Sequence, residues 1–163
     1  MSKKKYENFT LSLALFDALP VIFFSISMII FAINFNNIIF ITGAAICTVS
    51  GTLKVIWKLI TAGTKKDISI LNKQMRILMP IGFLLMTIGI ITGKSKFDFK
   101  LFFSGILSFP NILFFIITAV GMILMSVFAV KLDPTKAKSN WIEQITNAIA
   151  QFSLLIGLII TFN

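Results

Sequence analysis

The chain has 163 residues, of which 57% are hydrophobic and 13% charged, and its mean hydropathy is +0.96. A soluble domain carries about 25% charged residues, so this composition excludes a water-soluble globule and predicts an integral membrane protein. The chain contains no histidine and one cysteine. It therefore lacks the residues for a disulfide framework and for histidine-based catalysis, and we expect neither a metal site nor a cofactor.

Five stretches are long and apolar enough to cross a membrane as helices, which takes about 20 apolar residues each. In chain order they are Leu11–Ile33, Ile39–Thr61, Met75–Thr92, Ile112–Val130 and Trp141–Ile160. The first stretch is too long and too often interrupted by polar residues for a cleaved signal sequence, so we expect it to be retained. We predict an all-α polytopic protein in which residues 1–163 form a single transmembrane helix bundle.

A sixth apolar segment, at about 97–108, is rich in phenylalanine and leucine but too short to cross a membrane. We expect it to lie in the interface or to enter the membrane and return. After it, the sequence from Ser108 to Pro110 resembles a helix start, with Ser108 as the cap and Pro110 in the first turn. The alternative is a full sixth crossing, which would reverse the last spans.

The cationic residues predict the orientation of the protein. Cytoplasmic loops are enriched in lysine and arginine, and five spans with a cytoplasmic N-terminus and an outside C-terminus place twelve of the fifteen cations in the cytoplasmic half. The exception is the third loop, with Lys94, Lys96 and Lys100. The abundance of lysine, isoleucine, asparagine and phenylalanine is typical of AT-rich bacterial genomes, so we expect a bacterial plasma membrane.

Ionisable residues inside predicted spans are costly and usually face the protein interior, so each is a candidate for function. Asp17 precedes Pro20 in the first span, and Pro20 is expected to kink the helix near Phe16. In the second span, a stripe of small residues at Gly43, Cys47 and Gly51 predicts close helix packing and continues to Lys54 and Lys58. Lys54 is the expected partner of Asp17, either in a structural pair or in a transport site, whereas Lys58 is expected to extend to the headgroups.

The fifth span has the densest polar stripe. Glu143, Asn147 and Gln151 recur every four residues, with Gln144 beside them. Amides facing lipid would lack hydrogen-bond partners, so they must face the bundle as links between helices or as a pocket lining. Glu143 has an alternative role in a capping box that begins at Asn140. Arg76, at the start of the third span, is either an interface anchor or a ligand for a lipid phosphate.

The candidate ligand-binding residues all fall in the predicted cytoplasmic half. They are Asp17, Lys54, Lys58, Arg76, Glu143, Gln144, Asn147 and Gln151. We expect a polar, net-basic vestibule that opens to the cytoplasm and binds or transports an anionic or amphipathic small molecule or lipid.

Two other functions remain open. The protein could be a non-catalytic accessory, immunity or assembly protein that binds another membrane protein, or an intramembrane lipid enzyme with Asp17 or Glu143 as general base. Expected partners are membrane lipids, a small-molecule ligand, a second membrane protein or a second copy of the chain. Nucleic acid is not expected, because the basic residues lie in short loops against the membrane.

Overall fold

The computed structural model describes residues 10–93, 97–133 and 136–163, which form eight helices and no strand. The helices are α1 (Leu11–Phe16), α2 (Ala18–Phe35), α3 (Ile38–Thr64), α4 (Ser69–Lys73), α5 (Met75–Gly93), α6 (Phe99–Leu107), α7 (Asn111–Lys131) and α8 (Ala137–Phe162). Together they confirm the prediction of an all-α protein.

Five helical stretches are long and apolar enough to cross a membrane, as the sequence predicts. They are Leu11–Phe35, Ile38–Thr64, Ser69–Gly93, Asn111–Lys131 and Ala137–Phe162. Each extends beyond its predicted bounds, because polar residues at the ends continue the helical hydrogen bonding that an apolar count does not detect.

The helical hydrogen bonding of the first span is interrupted where the sequence predicts a kink, although the backbone of Asp17 itself stays helical. α1 ends at Phe16 and α2 begins at Ala18, with Pro20 in the first turn of α2. Proline has no backbone N–H to donate to the residue four positions earlier, which is Phe16. The break leaves Asp17 between the two helices, where its side chain is buried by the neighbouring helix α3. In the third span, by contrast, α5 runs unbroken through Pro80.

The segment at 97–108 forms α6, whose nine residues are too short to cross a membrane. It packs against α8 and α7 at one end of the bundle. The prediction that Ser108 caps the following helix is wrong. Ser108 ends α6, where its hydroxyl donates to the carbonyl of Gly105, and α7 starts only at Asn111.

The start of α8 also differs from the prediction. The backbone N–H of Asn140 donates to the carbonyl of Lys136 at 3.1 Å, which is already a helical hydrogen bond. α8 therefore begins at Ala137, and Asn140 lies inside its first turn. A capping box that begins at Asn140 and uses Glu143 is therefore excluded.

The spanning helices stand in a row in the order α5, α3, α2, α8 and α7. α3 packs between α5 and α2, and α8 packs between α2 and α7. Ring contacts between Phe23 and Phe152, and between Phe31 and Phe162, show that α2 and α8 run parallel. α5 and α7 thus form the two ends of the row, and α2 is the central helix.

Glycines bring α3 and α5 into backbone contact. A methyl group on Gly43 would lie 2.6 Å from the carbonyl oxygen of Gly82, and one on Gly89 would lie 2.5 Å from the nitrogen of Phe40. Gly51, in the same stripe as Gly43, meets Val21 of α2 instead. The predicted small-residue stripe therefore serves two neighbouring helices.

The two ends of the bundle differ in chemistry. At the end where α8 begins lie most of the described cations, and we call it the basic end: Lys54, Lys58, Lys65, Lys66, Lys73, Arg76, Lys131, Lys136 and Lys138. The other end, which we call the Phe-rich end, contains α6, the turn between α2 and α3, and Lys100. Lys3, Lys4, Lys5, Lys94 and Lys96 lie outside the described residues, and the cytoplasmic orientation of the basic end stays a prediction.

The Phe-rich end is filled by aromatic rings and fixed by one amide. Phe31 contacts Phe35, Phe40, Phe97, Phe102 and Phe162, with ring centroids 4.8 to 6.0 Å apart. Asn111, fully buried, donates to the carbonyl of Gly105 and to the hydroxyl of Thr161, both at 2.8 Å. This side chain joins α6, α7 and α8, and the sequence analysis did not identify it.

Candidate functional site

Asp17 and Lys58 form a buried ion pair at the basic end. The Lys58 Nζ atom lies 2.9 Å from Asp17 Oδ1, and the two side chains are only 5% and 8% exposed. The sequence analysis paired Asp17 with Lys54 and assigned Lys58 to the headgroups, and both expectations are wrong. Lys58 is one helical turn nearer the end of α3, at the level where the broken first span presents its carboxylate.

Lys54 has different neighbours. Its ammonium donates to the side-chain oxygen of Asn72 and lies 4.5 Å from the ring centroid of Trp57. Within the described part of the chain, no carboxylate lies within 4.0 Å of Lys54. A cation–π contact and an amide hold an ammonium in place without supplying a negative charge, so these two contacts do not neutralise Lys54.

Five ionisable residues lie at this end, where four of them act electrostatically on the fifth, Lys54. They are Asp17, Lys54, Lys58, Arg76 and Glu143, and we call them the basic cluster. Three basic and two acidic side chains give the cluster a formal net charge of +1. Since Lys58 is paired with Asp17, the unbalanced charge lies with Lys54 and Arg76.

The junction of α4 and α5 is attached to α3 two residues before Arg76, whose own side chain is exposed. Gln74, at the junction, donates to the carbonyl of Ser50 at 3.0 Å and accepts from the hydroxyl of Ser50 at 3.0 Å. This paired hydrogen bond attaches the start of α5 to the middle of α3. The sequence places Gln74 near the start of a span, but nothing in it identifies Ser50 as the partner.

An apolar groove opens between α5 and α7, with α2 and α8 at its base. Its volume is about 330 Å³. The lining residues are Phe24, Met28, Phe31, Phe40, Phe83, Met86, Thr87, Ile90, Phe102, Phe115, Thr118, Met122, Gln151, Leu154 and Leu158. We call this feature the lateral groove. The sequence analysis missed it, because α5 and α7 are separated in the chain by α6.

Two buried amides of α8 have a side-chain oxygen without a hydrogen-bond partner among the described residues. The Oε1 atoms of Gln144 and Gln151 have none among the described residues, although these residues are only 6% and 8% exposed. The Gln151 Nε2 atom donates to the thioether of Met122 at 3.5 Å, which is a weak acceptor. Gln144 lies seven residues before Gln151 and therefore on the same helix face. Asn147, between them, is half-buried and does not line the groove.

The lining of the lateral groove contains no residue of the basic cluster. On α5 the groove is lined by Phe83, Met86, Thr87 and Ile90, and Arg76 lies seven residues before Phe83 on the same face. On α8 the face that lines the groove with Gln151 and Leu158 carries Gln144 nearer the basic end. Two helices of the groove therefore carry polar or charged residues on the same face, nearer the basic end.

Among the described residues, no group of three or more histidine, cysteine, aspartate or glutamate side chains could hold a metal ion. No protein-family model, curated protein or solved structure matches the chain. Function must therefore be inferred from the geometry of the basic cluster and the lateral groove.

Proposed function

We propose that this protein binds an anionic amphiphile from the membrane, with its charged group at the basic cluster and its hydrocarbon chain in the lateral groove. The observation that carries the proposal is an apolar groove lined by the buried amide of Gln151, in a bundle whose basic end holds Lys54 and Arg76, the cations that Asp17 does not neutralise. We further propose that the protein lies in the plasma membrane of a bacterium, with the basic end on the cytoplasmic side.

The charge of the cluster supports an anionic ligand. A charged side chain within a membrane protein costs several kcal/mol unless it is paired or hydrogen-bonded. Asp17 meets this need for Lys58, whereas Lys54 is held only by an amide and an aromatic ring. A phosphate or carboxylate beside Lys54 and Arg76 would supply the missing negative charge, and Arg76 can bind such a group with two hydrogen bonds.

The size of the groove supports a hydrocarbon chain rather than a protein helix. A helix is about 10 Å across, so a volume of about 330 Å³ holds only about 4 Å of its length. The same volume lies at the lower end of the usual range for small-molecule sites. Because rings from α2, α3, α6 and α8 fill the Phe-rich end, the geometry favours binding over passage through the bundle.

Native mass spectrometry of the purified protein tests this proposal. The protein is titrated with phosphatidylglycerol and, separately, with phosphatidylcholine that has the same acyl chains. We expect tighter binding of the anionic lipid by about tenfold, and loss of most of this preference in Lys54→Met. The matched control is Lys138→Met, which removes an exposed lysine at the same end and should keep the preference.

Two results would overturn the proposal. Equal binding of both lipids by the parent protein would exclude a headgroup site for anions. An equal loss in Lys138→Met and Lys54→Met would show that general surface charge, rather than the cluster, attracts the lipid. If neither lipid binds and a second membrane protein co-purifies in stoichiometric amount, the accessory function replaces lipid binding.

A further inference from the structure

The unpartnered amides of α8 point to the chemistry of the ligand beyond its charge. We propose that the lateral groove selects a single-chain anionic amphiphile that carries a hydroxyl group between its charged group and its hydrocarbon chain. This inference rests on the proposed function and specifies its ligand.

The hydrogen-bonding state of Gln151 is the first step. A buried amide has two donors and an acceptor to satisfy, and in a membrane no water is present to do so. Gln151 has only the thioether of Met122 for its donors and nothing for its acceptor. A hydroxyl group both donates and accepts, so it can satisfy both sides of the amide. An ester, the usual linkage of two-chain lipids, only accepts and would leave Oε1 without a donor.

The position of the amides along the axis of the helix bundle, which we call their height, is the second step. The contacts of α2 with α3 and α8 place Lys54 at about the height of Asn147. Along α8, Gln144 lies three residues before Asn147 and Gln151 lies four residues after it. These separations are about 4.5 Å and 6 Å along the helix axis. Along the bundle axis, each of these amides therefore lies within about 6 Å of Lys54, and each has a side-chain oxygen without a partner. A hydroxyl adjacent to the charged group would lie at the height of Gln151.

The shape of the groove is the third step. Beyond Gln151 towards the Phe-rich end, the lining changes to Leu154 and Leu158 on one side and to phenylalanine rings on the other. These residues accept methylene groups and offer no further polar partner except the threonine hydroxyls. Thr118 already donates to the carbonyls of Phe114 and Ala150. One polar position followed by a single apolar path fits one chain rather than two.

The experiment compares two synthetic ligands that differ in one oxygen atom. Oleoyl lysophosphatidate has a phosphate, a free hydroxyl on the adjacent carbon and one chain, and its 2-deoxy analogue lacks only the hydroxyl. Both are titrated against the full-length protein in a non-ionic detergent, with native mass spectrometry as the readout. We expect the parent protein to bind the hydroxyl compound about tenfold more tightly.

Variants of the protein then show which residue causes the difference in affinity between the two ligands. Gln151→Met preserves the shape of the side chain and removes the amide, so the two ligands should bind within about twofold of each other. Asn147→Met, on the same helix but outside the groove lining, should keep the tenfold difference. Gln151→Met should also raise the thermal unfolding midpoint of the ligand-free protein, because it removes a buried amide that lacks partners. A purely structural role of Gln151 predicts the opposite shift.

The outcomes separate this inference from the proposed function. Equal binding of both compounds by the parent protein, with the preference for anionic headgroups intact, overturns the hydroxyl selection and leaves the anion site standing. Loss of the anion preference overturns both proposals. Discrimination that persists unchanged in Gln151→Met overturns the assignment to this amide, and the parent comparison does not depend on how any variant folds.

Discussion

The ion pair between Asp17 and Lys58 gives the most quantitative prediction. Lys58→Met removes the cation and leaves the carboxylate of Asp17 buried without a partner, and Asp17→Asn does the converse. At the 2.9 Å between Nζ and Oδ1 and an effective dielectric constant of about 20, two unit charges attract by about 6 kcal/mol. Removing both charges from water offsets part of this attraction.

The expected energies follow from these two opposing effects. Each single substitution should lower the free energy of unfolding by about 3–5 kcal/mol, the range for breaking a buried pair. The double variant, which buries no charge, should lose little more than either single variant. The coupling energy of the cycle should therefore be about 3 kcal/mol, well above the roughly 0–1 kcal/mol of an exposed pair.

The assay is reversible unfolding of the protein in lipid bicelles, measured for the parent, both single variants and the double variant. Lys138→Met, at an exposed position, serves as a control and should change the free energy by less than about 0.5 kcal/mol. A coupling energy below about 1 kcal/mol would show that water screens the pair. In that case α3 does not hold the break in the first span, and the description of the basic cluster fails.

Three further predictions concern packing and orientation. Gly43→Ala should destabilise the protein by about 1–3 kcal/mol, because its methyl group would lie 2.6 Å from a backbone oxygen of α5; Gly63→Ala, with nothing within 4 Å, is the matched control, and equal midpoints in thermal unfolding would contradict the close contact. Asn111→Leu should lower the free energy of unfolding by about 1–3 kcal/mol, and hydrogen exchange should increase in α6; unchanged exchange there would show that this amide does not hold α6. In intact cells, a membrane-impermeant maleimide should label Ser104→Cys but not Lys138→Cys, and labelling of the latter would reverse the predicted orientation.

The sequence was sufficient for the helices because hydrophobic length determines which segments can cross a membrane. The same reasoning identified α6 as too short and located the break before Pro20. Helix ends were less predictable. Ser108 and Asn140 are both residue types that favour helix caps, and the choice among several such residues depends on tertiary contacts that no local pattern contains.

The sequence identified the candidate residues of the site but not how these residues are arranged in space. Asp17 has two possible partners, Lys54 and Lys58, which are separated by one helical turn, and only the direction of the broken helix decides between them. The lateral groove is even harder to predict from sequence, since it forms between α5 and α7, which do not pack against each other. Gln144 and Gln151 were recognised as buried, whereas their lack of partners depends on what α7 places opposite them.

The central position of α2 has a consequence for the biogenesis of the protein. Its packing partner α8 leaves the ribosome after the other described helices, and the contact between Phe23 and Phe152 joins residues about 130 positions apart. At about 5–20 residues per second, synthesis of the intervening chain takes about 6–26 s. During that time the side of α2 that will meet α8 is in contact with lipid or with the insertion machinery. Because residues of α8 line the lateral groove, the groove can form only after α8 has inserted.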